Sequence, residues 1–242
     1  MRRSAAPIRI LSGEAMIAKR AITALVGLVV LMAATLAPAA APPVQGKEYQ
    51  LIDPPQPPLD VGSNGKRVEV IEFFYYGCPH CYNLQPALKV WLKNAPKDIE
   101  FRRMPTVFQK SWIPLTRAYY ALEAVGAVEK LHDDVFDAVH KQGIHFTDKN
   151  ILVEWAAKRG VDAKKLGEAY DSFAVQTKTQ RSVQLTRAYG ITGTPSVVVA
   201  GRYITAPSLT MNADNSVNYQ RFNEVLTGLV EMARATASAK KG

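Results

Sequence analysis

An apolar run, Val68-Glu69-Val70-Ile71-Glu72-Phe73-Phe74-Tyr75, leads within three residues to Cys78-Pro79-His80-Cys81, and a helical pattern follows at once. No other stretch constrains the fold as much. Apolar residues at nearly every position from Val70 onward suit a strand buried on both faces, as in the centre of a parallel sheet. Cys81, Leu84, Leu88 and Trp91 then recur at helical spacing, so a helix runs to Asn94 and is kinked by the internal Pro86. The cysteines thus lie between the end of a central strand and the first turn of a helix. They are the only two in the chain.

The flanking pattern extends this unit on both sides. Ala95-Pro96-Lys97-Asp98 ends the helix, and Ile99 to Met104 alternates as the next strand, which completes a βαβ unit. From Ser111 to Gly190 the pattern is helical throughout. One apolar stripe is Leu115, Tyr119 and Leu122, and a second is Leu131, Val135, Phe136 and Val139. A third, Ile151, Leu152, Trp155 and Ala156, follows a capping residue at Thr147 or Asp148, and a fourth is Leu166, Tyr170 and Phe173. A polar helix over 174–189 returns the chain. Ser196–Val199 and Arg202–Ile204 flank Ala200-Gly201 as a hairpin, and Phe222, Val225, Leu226 and Leu229 place a last helix. The order β, βαβ, helical insertion, ββα is an α/β thioredoxin fold with an inserted all-helical subdomain. Its first part spans 67–110, the insertion 111–190, the second part 191–234, and a tail over 235–242 is expected to fray.

The N-terminal segment belongs to neither half. Lys19 and Arg20 precede the apolar run Ile22 to Leu36, which ends in Ala37-Pro38-Ala39-Ala40-Ala41. Basic, apolar and small-residue regions in that order form a secretory signal peptide, here residues 1–39 with cleavage after Ala39. The alternative is an uncleaved anchor, but the run is shorter than a spanning helix requires. Met16 opens a signal of ordinary length and is a candidate start. Export removes five basic residues (Arg2, Arg3, Arg9, Lys19, Arg20) and one acid (Glu14), lowering the net charge from +9 to +5. No basic cluster interleaved with aromatics remains, so a nucleic-acid partner is not expected. Residues 40–66 form a proline-rich lead-in with a short edge strand at Tyr49–Ile52 and a turn at Asn64-Gly65.

The spacing of the cysteines narrows their chemistry. As a structural staple, a pair this close constrains little of the unfolded chain. A c-type haem site needs histidine after the second cysteine, where Tyr82 stands. His140 and His145 lie too far along the chain for a zinc finger and read as surface or helix-end residues, so no metal is expected. A redox pair remains, with the Cys78–Cys81 disulfide itself as the active group and no further cofactor. Cys78 falls at a helix N-terminus, where free N–H groups and the helix dipole favour a thiolate. Cys81 lies one turn in, on the buried stripe, and resolves.

Five neighbours are candidates for the same chemistry. His80, beside Cys78, is either a solvated first-turn residue or a cation that stabilises the thiolate and so makes the disulfide more oxidising. Pro79 presets the helical φ where its missing N–H costs nothing. Thr194-Pro195 is either a routine strand start or a cis bond that leaves the Thr194 backbone free to pair with an extended substrate. Glu72 is either a solvated edge carboxylate or a buried acid that exchanges a proton with Cys81, with Arg103 in phase to pair with it.

Residues 72–82, Glu-Phe-Phe-Tyr-Tyr-Gly-Cys-Pro-His-Cys-Tyr, resemble the active-site stretch of the DsbA family of periplasmic thiol:disulfide oxidoreductases. The likeness extends over most of 47–234, and the Pro-His pair between the cysteines is its specific part. It implies that Pro195 is cis, that Glu72 is the buried acid, and that Cys78 forms the mixed disulfide with unfolded exported polypeptides. It also implies a membrane partner like DsbB that reoxidises the pair, and a monomer that is soluble in the periplasm. The lead-in before Tyr49 departs from the family pattern. Two other readings stand: a disulfide isomerase or reductase on the same fold, and a peptide-binding chaperone without redox chemistry.

Overall fold

The computed structural model describes residues 41–59 and 67–239. The expected signal peptide, the Met16 start and the Asn64-Gly65 turn lie outside the described residues. Five strands form one mixed sheet in the order β1-β5-β4-β2-β3. They are β1 (Gln50–Leu51), β2 (Val68–Phe74), β3 (Ile99–Pro105), β4 (Ser196–Val199) and β5 (Tyr203–Thr205). β2 lies inside the sheet, parallel to β3 and antiparallel to β4. That position explains its apolar sequence, because both faces of β2 are covered.

Helices pack on the two faces. α1 (Pro79–Asn94) follows β2, and α7 (Tyr219–Ala239) ends the described chain. Leu84, Leu88 and Trp91 of α1 meet Val70, Val197 and Val199 of the sheet and Phe222, Val225 and Leu229 of α7 in one core. The opposite face is smaller. Ile71, Phe73, Met104 and Val198 pack there against Leu185 and Tyr189 at the end of α6 (Phe173–Ala188). Period-two alternation therefore sends Val70, Glu72 and Phe74 to the α1 side and Ile71 and Phe73 to the α6 side.

Four helices precede or border that second face: α2 (Ile113–Ala124), α3 (Val128–His140), α4 (Lys149–Ala157) and α5 (Ala163–Asp171). Their stripes build a third core that also takes in Phe74, Tyr76 and Cys81. Asp148, rather than Thr147, caps α4 by accepting from the N–H groups of Asn150 and Ile151. The fourth expected stripe is broken. α5 ends at Asp171, Ser172 caps the next helix by accepting from Val175 N, and Phe173 starts α6 at 82% exposure. Only Leu166 and Tyr170 of that stripe are buried. The tail also differs from expectation: its first residues, 235–239, continue α7 without a break.

The lead-in is tied to the body. Ile52 N donates to Arg202 O and Gln56 N to Gly201 O. Ala200 and Gly201 turn the β4–β5 hairpin with φ of 52° and 62°, and a side chain on Gly201 would meet Gln56 O at 2.1 Å. Arg221 of α7 grips Glu48 through two bonds, Nε to Oε1 at 2.7 Å and Nη2 to Oε2 at 2.8 Å. Pro43 lies against Gly228 of α7.

Candidate active site

The strand-to-helix junction delivers both cysteines as the spacing predicts. Cys78 caps α1 with an extended backbone, and Pro79 is its first residue. Cys78 N donates to Tyr75 O at 3.0 Å, which closes the turn between strand and helix. Gly77 is needed in that turn, since a Cβ there would lie 2.5 Å from the Tyr75 ring. Cys78 is partly exposed and Cys81 fully buried, and both are free thiols.

The two sulfurs sit in opposite electrostatic surroundings. The hydrogen bond from the Cys81 thiol, helped by the backbone N–H groups of Cys81 and His80, lowers the Cys78 pKa to about 5 against the opposing effect of burial. Burial pushes Cys81 far above the usual thiol range, and the adjacent Cys78 raises it further. His80 acts on Cys78 through its backbone N–H, while its side chain is exposed and lines a neighbouring groove.

The Thr194–Pro195 peptide is cis, and the Cys78 thiol donates to Thr194 O at 3.3 Å. The loop therefore faces Cys78 directly. A groove of about 410 Å³ runs beside it, lined by His80, Thr194, Pro195, Leu209, Met211 and Tyr219 among others. On another flank, Trp112 stacks on Tyr75 at 3.8 Å, and Phe108 packs on Trp112.

Glu72 is completely buried beneath α1. It faces Arg103, its register partner on β3, with Oε2 3.3 Å from Nε, an ion pair without hydrogen-bond alignment. Burial raises the Glu72 pKa despite the opposing pull of Arg103 and the Gln85 side chain. The acid and its cation are thus where strand phase put them.

Sequence reasoning missed three residues of this centre. Gln85 donates through Nε2 to Glu72 Oε1 at 2.8 Å and to Cys81 O at 3.1 Å. His132 Nε2 lies 3.2 Å from Gln85 Oε1, and His132 Nδ1 lies 2.9 Å from Tyr76 Oη. Gln85 falls at i+4 from Cys81, which was a usable signal; His132 comes from a distant helix and left none. His140, expected to be ordinary, ends α3, pairs with Tyr76 O at 2.8 Å and stacks on Tyr82. His145 is exposed. Among the described residues no group of three or more His, Cys, Asp or Glu is placed to hold a metal ion.

A buried thiol behind a partly exposed, acidified one, facing a cis-proline loop, is the arrangement of a thiol–disulfide exchange centre. The family model described as DSBA-like thioredoxin domain matches residues 69–220. This chain belongs to the DsbA family. It is 41% identical over 180 residues to the thiol:disulfide interchange protein DsbA of Burkholderia cepacia, covering 74% of this chain and 84% of that protein. The DsbA of Pseudomonas syringae pv. tomato is 34% identical over 215 residues, 87% of this chain and 96% of its own. The crystal structure of Pseudomonas aeruginosa DsbA superposes with a TM-score of 0.73 at 30% identity, covering 81% of this chain and 97% of that one. The chain is accordingly a thiol:disulfide oxidoreductase of thioredoxin-like fold.

Proposed function

We propose that this oxidoreductase works as an oxidase, donating the Cys78–Cys81 disulfide to unfolded polypeptides newly exported to the periplasm. The supporting observation is the split between the two thiols, with Cys78 lowered to about 5 and Cys81 raised. A stabilised Cys78 thiolate favours the reduced pair, and a pair that favours reduction is an oxidising disulfide.

The exchange runs in two steps. A substrate thiolate attacks Cys78 Sγ, the Cys78–Cys81 bond breaks, and a substrate–Cys78 mixed disulfide forms. The Cys81 sulfur leaves as a thiolate and, because burial disfavours its charge, takes a proton from Glu72. A second substrate thiolate then attacks the substrate sulfur of the mixed disulfide. Cys78 departs as a thiolate, two substrate thiols have become a disulfide, and the enzyme pair is reduced. The Thr194 backbone beside cis-Pro195 has no thiol hydrogen to accept at its carbonyl once Cys78 is in the disulfide, and with the adjacent groove it suits an extended peptide chain. Pro79 sets the first turn that holds Cys78. No metal or other cofactor takes part.

The signal-like segment before residue 40 supports a soluble periplasmic protein, and a membrane protein of the DsbB kind reoxidises the pair. The enzyme acts as a monomer and does not bind nucleic acid. Among the described residues no helix is long and apolar enough to cross a membrane. Equilibration with glutathione redox buffers tests the direction of the reaction. The pair is expected to be reduced far more readily than thioredoxin's. A pair as hard to reduce as thioredoxin's means a reductase instead. Unimpaired function in a Cys78→Ser variant points to a chaperone without redox chemistry.

A further inference from the structure

The buried polar groups behind Cys81 form a chain whose hydrogen-bond directions are settled by its one unambiguous acceptor. Cys81 O is a carbonyl oxygen and only accepts. The Gln85 amide atom 3.1 Å from it is therefore the nitrogen, whose second hydrogen goes to Glu72 Oε1 at 2.8 Å. Gln85 Oε1 must then face His132 Nε2, 3.2 Å away, and an acceptor there requires that Nε2 carry a proton. Burial holds His132 neutral, so its Nδ1 is bare and accepts from Tyr76 Oη at 2.9 Å.

We propose that Tyr76, His132 and Gln85 form a one-way hydrogen-bond chain that positions the Glu72 carboxyl for proton exchange with Cys81. The inference rests on the exchange reaction proposed above and adds three positioning residues to it. Gln85 keeps a donor on Glu72 Oε1 whether the acid is charged or neutral. The exchanging proton is thereby directed to Oε2, which has no hydrogen-bond partner and lies 3.3 Å from Arg103 Nε. His132 belongs to α3 and Gln85 to α1, so the helical insertion sets the orientation of an acid that belongs to the sheet. Reversing the chain would turn the Gln85 amide oxygen onto Cys81 O and Glu72 Oε1, both acceptors, which makes its direction hard to reverse.

The titratable and charged groups around Glu72 are few. Arg103 from β3, Cys81 from α1, Tyr76 from the active-site turn and Tyr119 from α2 act on it directly, His132 from α3 reaches it through Gln85, and Asp133 from α3 acts on Tyr76. Arg103 is itself 3.8 Å from Glu129, and Lys89 acts on His132. Removing the Gln85 donor strips stabilisation from the carboxylate more than from the acid, so Glu72 then holds its proton to higher pH.

Two measurements test the chain. In the unaltered protein labelled with ¹⁵N-histidine, long-range ¹H–¹⁵N spectra are expected to show His132 as a single Nε2–H tautomer that does not titrate between about pH 5 and about pH 8. The rate at which the disulfide form oxidises a cysteine peptide is then followed against pH. Gln85→Leu is expected to move the limb belonging to Glu72 upward by about one pH unit. His132→Phe moves it the same way by less, and His132→Gln, which retains a donor, brings it back. An Nδ1–H tautomer, or a His132 that titrates near its ordinary value, overturns the proposal even if the variants fail to fold. So does a folded Gln85→Leu variant with an unmoved profile. Failure of the unaltered enzyme to oxidise the peptide sinks the oxidase reading instead, and the tautomer still decides the chain.

Discussion

Cys78 and Cys81 are the same side chain three positions apart, and the fold makes them chemically unlike. One ends among hydrogen-bond donors at a helix start, the other in a core with Phe74 and Tyr76. The pKa of about 5 predicts that alkylation of reduced protein by iodoacetamide gives one fast-reacting thiol, with a rate midpoint at about pH 5. Cys81, fully buried, is expected to stay unmodified until the protein unfolds. Mass mapping after a short pulse checks both statements. A midpoint near the ordinary thiol value of about 8.5 overturns the electrostatic account. The split between an accessible and a buried cysteine was legible in the sequence, because helix phase alone buries Cys81. The contribution of His80 was less so. Its imidazole was the obvious candidate for stabilising Cys78, and its backbone N–H, invisible to residue type, also lowers the pKa of that thiol.

At the scale of elements, period and punctuation carried most of the fold. The central strand, its helix, the hairpin and the closing helix follow from apolar spacing and turn residues, and Glu72 opposite Arg103 follows from strand phase. Two things escaped. Phe173 continues the α5 stripe in spacing, but the Ser172 cap restarts the helix and turns that ring outward. His132 sits on an amphipathic helix among residues that look like core, and only the packing of α3 on α1 brings it to Gln85. The proline-rich lead-in was unexplained in sequence, and its ties now assign it a part. Glu48, almost buried, is held by Arg221 of α7 while its carbonyl accepts from Thr205 Oγ1 at 2.7 Å. Arg221→Ala leaves that carboxylate without its cation and is expected to cost about 3 kcal/mol in urea unfolding. Gly201→Ala is expected to cost about 2 kcal/mol, since the left-handed backbone is retained against a side chain and Gln56 must move away. Wild-type midpoints for both variants contradict a structural role for the lead-in.

For the whole molecule, the acidified thiol links redox state to stability. The reduced form alone carries the Cys78 thiolate, and the fold favours that charge over the unfolded chain. A group whose folded pKa is depressed stabilises fully above its unfolded pKa and loses that contribution as pH falls through its folded value. For Cys78 the window runs from the ordinary thiol value of about 8.5 down to about 5. Cys81, raised rather than lowered, stays neutral in both folded and unfolded chains through most of that window. Groups remote from Cys78 keep the same surroundings in the reduced and oxidised proteins, so their contributions cancel when the two are compared. After discounting for the partial exposure of Cys78, the thiolate contributes on the order of 2 kcal/mol at pH 7. In a protein of this size that is worth about 5 °C in melting temperature. Reduced minus oxidised melting temperature is therefore expected to rise by about 5 °C between pH 5 and pH 7. In Cys78→Ser, which keeps the core thiol and lacks the thiolate, the melting temperature measured against the oxidised protein should show no such rise. Calorimetry of the three forms across that range decides it, and a gap that stays flat with pH would mean the Cys78 thiolate is not what the fold stabilises.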